Sequence, residues 1–223
     1  MFERLSTLGL AIALGAACAT PSPGPVEKVH AADSPTLEVV KPKMDPDVVA
    51  LVPSLKSPTE VETTIPVDFD GDGILDLAVV TVSSDIDPLR PDDVLRTLTM
   101  GIRDGTSFRA VQSTTCVAMC PQCGGIMGDP YQGIDAGQDG TIIVKNYGGS
   151  RERWSVHYTV AFHDGAFQIV AVKRSTFDSL KPKSIKENTI DLRPGVGTNT
   201  ASGSASHNLT PVRIEACQDV EKL

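Results

Sequence analysis

The sequence predicts a mostly β protein, an antiparallel domain built as two layers or as a strongly twisted sheet, behind a disordered N-terminal tether. Aromatic residues make up only 4% of the 223 residues, whereas 19 residues are glycine and 16 are proline, which favours a loop-rich β domain. Several segments alternate apolar and polar residues, and Asp-Gly pairs typical of hairpin turns separate them. No segment keeps a helical period over a convincing length.

The first 17 residues have the features of a signal peptide. Arg4 supplies a positive charge, and the apolar run that follows is too short to span a bilayer. The run ends in small residues before Cys18, and this end resembles the lipobox of bacterial lipoproteins, with Gly15 where the usual pattern has Leu. We therefore expect export and lipidation of Cys18. Cleavage after Ala19 is the alternative.

The tether is predicted to occupy residues 18–59. Prolines recur throughout it, at positions 21, 23, 25, 35, 42, 46, 53 and 58. Ser, Thr, Glu and Lys separate them, so the segment has little apolar area to bury, and extended conformations are expected. This composition predicts a solvated stalk, although the short apolar segments 37–40 and 48–52 could dock on the domain.

Four carboxylates fall at positions 1, 3, 5 and 9 of one short loop: Asp68, Asp70, Asp72 and Asp76. Gly71 and Gly73 let the backbone fold back so that these side chains converge. Calcium takes about six to eight oxygen ligands, and the four carboxylates with the carbonyl of Ile74 are the predicted set. A helical calcium hand would need Glu at position 12, where this chain has Val79, and the apolar run after the loop indicates a strand. An Asp/Gly turn without an ion is the alternative.

The loop sequence resembles the calcium loop of FG-GAP and VCBS-type repeats, which occur in β-propellers and in many secreted bacterial proteins. The chain has one copy, since residues 135–140 lack the carboxylate spacing, so a propeller is not expected. A second set of residues resembles exported bacterial proteins that carry one such loop: 120–125, 128–130, 147–150 and 153–154. The resemblance implies calcium as the cofactor, and no activity comes with it.

The β domain is predicted over residues 60–193, with strands at 74–82, 95–102, 108–113, 141–147, 154–162 and 167–172. Asp-Gly turns are expected at 104–105, 139–140 and 164–165. Alternate residues of the fifth strand share one face and are predicted to be core: Trp154, Val156, Tyr158, Val160 and Phe162. Trp154 as a platform for a ligand is the alternative, and His157 and His163 are expected at the surface.

Apart from Cys18, the chain has four cysteines: Cys116, Cys120, Cys123 and Cys217. The spacing of Cys120 and Cys123 occurs in zinc knuckles, but a structural zinc site needs four ligands and no second Cys-x-x-Cys exists. It also occurs in redox pairs, which normally open a helix that Gly124 and Gly125 disfavour. An even set in an exported chain favours structural disulfides. We expect the pairs Cys120–Cys123 and Cys116–Cys217, although the sequence does not fix the connectivity.

The last segment, 194–223, is predicted to be a flexible linker followed by a short docked piece. Residues 195–208 are rich in Gly, Ser, Thr and Asn, which favours a flexible chain. Residues 210–214 regain strand character just before Cys217. A disulfide from Cys217 is therefore expected to hold this piece on the domain.

The net charge of −8, without a basic patch, argues against nucleic acid as a partner. No nucleophile elbow, paired histidine ligands or Ser-His-Asp set is present, so the sequence favours a protein without enzymatic activity. The leading hypothesis is a lipid-anchored, calcium-binding protein of the bacterial cell envelope, acting as a binding or structural module. Its expected partners are the membrane, through the anchor, and an envelope protein or polysaccharide.

Two weaker alternatives remain. One is an extracytoplasmic thiol-disulfide oxidoreductase that uses Cys120 and Cys123. The other is a small anion or sugar site formed by Arg151, Arg153 and Tyr131, which lie near the glycine-rich loops.

Overall fold

The computed structural model describes residues 44–57, 60–83, 94–193, 210–214 and 216, and all of them belong to one compact unit, Lys41–Leu223. The predicted signal peptide, Cys18, most of the predicted tether, most of the linker and Cys217 lie outside the described residues. The described residues form two antiparallel sheets and little helix. The predicted fold class is therefore confirmed.

The smaller sheet is a simple meander of four strands. It contains β1 (Val61–Val67), β2 (Asp76–Val82), β3 (Arg96–Asp104) and β4 (Ser107–Thr114), paired in chain order. A short helix, α1 (Pro46–Leu51), precedes it. A 3₁₀ helix, Gly125–Met127, lies between the two sheets in the chain.

The larger sheet is formed by β5 (Tyr131–Ala136), β6 (Thr141–Gly149), β7 (Glu152–His163), β8 (Ala166–Asp178), β9 (Lys181–Asp191) and β10 (Val212–Arg213). Strands β5 to β8 pair in chain order. Both β9 and β10 pair with β8, β10 along its first part and β9 along its second part. The predicted Asp-Gly turns at 139–140 and 164–165 have positive φ at both residues, as the tight hairpin turn requires.

The two sheets pack face to face around one main core. The smaller sheet contributes Ala78, Val80, Leu98, Met100 and Ile102, and the larger sheet contributes Ile142, Val144, Tyr158, Val160, Ile169 and Val172. Two rings meet edge to face between them, with the centroids of Phe69 and Phe167 5.0 Å apart. Because alternate residues of each strand face this core, the alternation in the sequence follows the packing.

The predicted tether ends before residue 59, because α1 folds onto the outer face of the smaller sheet. Asp45 caps the helix by accepting a hydrogen bond from the Asp47 amide, at 2.9 Å. Val48 and Leu51 are buried against β2. Strand β2 is thus covered on both faces, which explains its uninterrupted apolar run. The proline count concealed this helix, since Pro46 occupies its first turn, where proline is tolerated.

Trp154 is not in the core, contrary to the prediction for its strand face. Tyr158 and Val160 are buried, and Val156 packs against the edge of the core, but Trp154 lies beyond that edge and is only half-buried. The prediction followed the alternation along β7, which gives the face of a residue but not where the opposite sheet ends. Strands β1, β5 and β9 were also not predicted, because they are short or rich in polar residues.

Candidate metal centre

The carboxylate-rich loop connects β1 to β2. Gly71 and Gly73 have φ values of 77° and 86°, in the left-handed region that favours glycine. The Asp68 carboxylate accepts hydrogen bonds from the amides of both glycines, at 2.8 and 2.9 Å. The Asp72 carboxylate accepts one from the Ile74 amide, at 2.7 Å. The aspartates thus turn their own backbone, as such side chains do in tight loops.

Asp76 closes the loop and joins it to the next strand. Its side chain is 1% exposed. One carboxylate oxygen accepts a hydrogen bond from the Phe69 amide and the other accepts one from the Arg103 amide, both at 2.7 Å. Burial raises the pKa of Asp76, and the two amides only partly offset this effect. The charges of Asp70 and Asp72 raise its pKa further.

Three carboxylates converge on one point: oxygens of Asp68, Asp70 and Asp76 all lie within 4.8 Å of one another. Two oxygens on opposite sides of one calcium ion would be about 4.6–5.2 Å apart, given calcium–oxygen distances of 2.3–2.6 Å. Each oxygen has two lone pairs, so an amide hydrogen bond leaves it able to bind a cation. These three residues therefore fit calcium.

The remaining predicted ligands are placed differently. Asp72 lies in the same loop but outside the converging group. Ile74 is 51% exposed, and its hydrocarbon side chain has no ligand atom. Its backbone carbonyl is therefore the group that could bind an ion. The Ile74 carbonyl as a ligand stays a prediction.

Two arginines that the sequence did not single out border the loop. Arg109, on β4, donates to the Asp70 carboxylate at 2.6 Å. Arg103, on β3, donates to the carbonyl of Leu75 at 2.9 Å and pairs with Asp47 of α1 at 2.8 Å. The Asp47 hydrogen bond raises the pKa of Arg103. Arg103 and Arg109 lie on the two strands joined by the turn that was predicted at 104–105. The predicted hairpin therefore already placed the two arginines near each other.

The loop also contacts the larger sheet. A Cβ atom on Gly140, in the β5–β6 turn, would lie 3.3 Å from the Cα atom of Phe69. An open cleft of 630 Å³ lies between the loop and this turn, lined by Asp68, Asp70, Gly71, Ala136, Gly137 and Asp139. The loop is therefore held between the two sheets at the end of the sandwich where β6 begins.

The cysteine segment is the second predicted site. Cys120 and Cys123 are joined by a disulfide, with their Cα atoms 5.2 Å apart. Cys116 is disulfide-bonded as well, and its bonding partner lies outside the described residues. A sulfur in a disulfide is not a thiolate, so this oxidised form does not use Cys120 and Cys123 as zinc ligands. The pair opens a turn and then the three-residue 3₁₀ helix.

A buried arginine that the sequence did not reveal fixes the cysteine segment. Arg96 is 1% exposed; it donates to both Glu62 oxygens, to both Asp129 oxygens and to the carbonyl of Met119. Its guanidinium also stacks on Tyr131, 4.6 Å from the ring centroid. Burial alone would lower the pKa of Arg96, but the Glu62 and Asp129 hydrogen bonds outweigh it and raise that pKa.

The contacts do not support the predicted anion or sugar site, because Tyr131 and Arg151 have separate partners. Tyr131 stacks with Arg96 and donates its hydroxyl hydrogen to Thr63, at 3.0 Å. Arg151 pairs with Asp178 instead, at 2.7 Å. The tyrosine thus belongs to the buried arginine cluster, whereas Arg151 belongs to the end of the β7–β8 hairpin.

No helix among the described residues is long and apolar enough to cross a membrane. No family model matches the chain, and no curated protein matches it. A solved structure of a Xanthomonas type IV secretion system related protein is similar over 62% of this chain, at 14% identity and a TM-score of 0.33. The match spans 58% of that structure. A likeness at this level supports no inference about function.

Proposed function

We propose that this protein is a calcium-binding, non-enzymatic module of the bacterial cell envelope, anchored by a lipid on Cys18. The observation that carries the calcium assignment is the convergence of Asp68, Asp70 and Asp76, whose oxygens lie within 4.8 Å of one another. The ion would hold the loop closed between the two sheets and would have a structural role.

The charge balance of the loop supports a cation. Three carboxylates this close repel one another, and one of them, Asp76, is also buried. Arg109 offers a single positive charge to Asp70 from an exposed position, with half of its side chain accessible. A divalent ion removes more of the repulsion. Oxygen-only ligands on a glycine-rich loop suit calcium better than magnesium, which demands a near-ideal octahedron.

The envelope location rests on the sequence and on the cysteines. Residues 1–17 have the pattern of a leader that ends at Cys18. Disulfides persist in oxidising compartments such as the periplasm and the cell surface, and Cys120–Cys123 is such a bond. Extracellular modules bind calcium at about 10⁻⁴–10⁻³ M, and we expect an affinity in this range for the loop.

Calorimetry and thermal melts test the calcium assignment. Free calcium at ten times the dissociation constant adds about 1.4 kcal/mol of stability, which for a domain of this size raises the melting temperature by roughly 3–6 °C. The Asp70→Asn variant should lose most of this shift. Asp135→Asn is the control, because Asp135 is an exposed carboxylate on β5 that does not belong to the converging group. Superimposable melts with chelator and with calcium, and no heat of binding, would refute the assignment.

The oxidoreductase alternative has one observation in its favour: Cys123 is an exposed residue of the disulfide pair. The described segment 120–131 contains no α-helix after the pair, so the helix N-terminus that activates the cysteine of such redox motifs is missing there. An insulin-reduction assay with dithiothreitol separates the two functions. We expect no acceleration by the protein, and acceleration lost in Cys120→Ser would favour the enzyme.

A further inference from the structure

A second pocket lies at the end of the larger sheet opposite the calcium loop. It has a volume of 420 Å³ and lies between the start of β7, the end of β8 and the start of β9. Ligand sites for small molecules typically occupy about 300–1,000 Å³. The calcium loop contacts the β5–β6 turn, at the other end of β6, so the two sites do not share residues.

Trp154 forms an aromatic wall of this pocket. It pairs across the strands with Gly148 on one side and with Thr176 on the other. A Cβ atom on Gly148 would lie 2.6 Å from Cζ2 of Trp154, so the ring lies across bare glycine backbone. A ring seated in this way has little freedom to move, and it is only half-buried. The neighbours on the same face, Thr176 and Lys186, are exposed, so this part of the sheet is open to solvent.

Two lysines give the pocket positive charge. Lys181 and Lys186 line it, and within the described part of the chain neither forms an ion pair. The chain carries a net charge of −8, yet the pocket is lined by three basic residues (Arg153, Lys181 and Lys186) and two acidic ones (Glu152 and Asp178). Lys173 pairs with Glu187 at 3.3 Å on the opposite face of the hairpin. The pocket is thus a local cationic site on an acidic protein, and it complements an anionic ligand.

The remaining polar groups favour a ligand with hydroxyls over a bare anion. Ser184 accepts a hydrogen bond from the Asp178 amide at 3.1 Å, which leaves its own O–H able to donate. The exposed carboxylate of Glu152 can accept hydrogen bonds from hydroxyl groups but repels an inorganic anion. The charge of Asp178 is already compensated by Arg151.

We infer that this pocket binds a carboxylated pyranose, a uronic acid residue within a glycan. The polarised C–H face of the sugar packs on the negative face of the Trp154 ring. Its carboxylate contacts Lys181 and Lys186, and its hydroxyls contact Ser184 and Glu152. The inference goes beyond the proposed function, since it involves no residue of the calcium loop.

Tryptophan fluorescence provides a direct test, because Trp154 is the sole tryptophan of the chain. The full chain in detergent is titrated with trigalacturonate in the presence of a chelator, which prevents binding through calcium. We expect a saturable change in emission. The fully methyl-esterified trisaccharide should bind about tenfold more weakly, because it lacks the charge-assisted hydrogen bonds. Equal binding of acid and ester, or no change in emission and no heat in calorimetry, would overturn the inference.

Matched variants separate the pocket from the general charge of the hairpin. The double variant Lys181→Gln/Lys186→Gln should weaken binding by about tenfold. Lys173→Gln/Lys183→Gln removes the same charge outside the pocket and should leave the affinity unchanged. An equal loss of affinity in the two double variants would overturn the assigned site. Binding that occurs only with calcium would place the sugar at the calcium loop, which overturns this inference and leaves the proposed function intact.

Discussion

Arg96, on β3 of the smaller sheet, donates to Asp129, which lies just before β5 of the larger sheet, at 2.7 Å. The same guanidinium donates to Glu62 on β1 and to the Met119 carbonyl in the cysteine segment. One buried cation therefore joins both sheets and the disulfide segment between them.

Arg96→Met should destabilise the domain strongly, because it leaves the two carboxylates and a carbonyl without their donor. Breaking a buried pair costs roughly 3–5 kcal/mol, and the partial exposure of Asp129 places the expected loss near 3 kcal/mol. Urea unfolding measures it. Arg151→Met is the control, since the pair with Asp178 is exposed to solvent and should contribute little to stability. Similar losses in both variants would contradict the role of Arg96.

Asp76→Asn should lower stability even without calcium, whereas Asp70→Asn should act mainly through the ion. The Asp76 carboxylate accepts hydrogen bonds from two backbone amides at 2.7 Å. In asparagine the side-chain NH₂ group would replace one of the two oxygens, and two donors would then face each other. The expected cost is about 1–3 kcal/mol. Thermal melts of both variants, with chelator and with calcium, distinguish the two effects. A chelated Asp76→Asn protein that melts like the wild type would refute this account of the loop.

Cys116 should be bonded to Cys217. Cys116 packs against the main core, and Ile214, fully buried, brings the C-terminal piece to the same core three residues before Cys217. Cys217→Ser opens a loop of about 100 residues, and in the chain-entropy model this costs roughly 4–5 kcal/mol. Peptide mapping without reduction identifies the bond. A bond from Cys116 to Cys18 would contradict both this pairing and the lipid anchor.

His157 should make the domain less stable below pH 6.5. Burial lowers its pKa, as do Lys145 and Lys173 on the neighbouring strands, while Asp135 acts in the opposite direction. The unfolded chain, with a histidine pKa near 6.5, then binds the proton more readily. The contribution of His157 to stability is complete above pH 6.5. It is lost as the pH falls towards the lowered pKa of His157 in the folded state.

Urea midpoints at pH 7.5 and 5.5 test the histidine. His157→Gln should reduce the difference between the urea midpoints at the two pH values, and His163→Gln, at an exposed position, is the control for the loss of a histidine. If His157→Gln leaves the difference between the two urea midpoints unchanged, the pH dependence comes from other groups.

Cys18→Ser should release the protein from the membrane fraction. Acyl chains contribute about 0.8 kcal/mol for each buried methylene, so several chains give stable anchoring. Cys217→Ser, which also removes one cysteine, should stay with the membranes. Retention of Cys18→Ser after a salt wash, or a mature protein that starts at Thr20, would exclude the lipid anchor.

The features predicted from the sequence are those that depend on residues close together in the chain. The Asp-Gly turns, the alternating hairpin 154–172 and the carboxylate loop each depend on residues close in the chain, and the structure contains the hairpin and its turn. Strand β9 escaped prediction because most of its side chains are exposed and polar, so no apolar pattern marks it.

The interactions that organise the sites are non-local. Arg96 and Glu62 are 34 residues apart, and Asp70 and Arg109 are 39 residues apart. A single sequence shows the charges but not which of them meet after folding. The position of Trp154 depends likewise on where the smaller sheet ends, which no pattern within β7 contains.

Strand β9 has a further consequence for contacts between copies of the protein. It covers the second part of the β8 edge, and among the described residues no strand pairs with the outer edge of β9. An exposed edge is a template for pairing with another chain. Lys181, Lys183 and Lys186 line this strand, and neighbouring copies would bring these charges together. We expect repulsion between these charges to oppose the pairing of this edge with the sheet of a second copy.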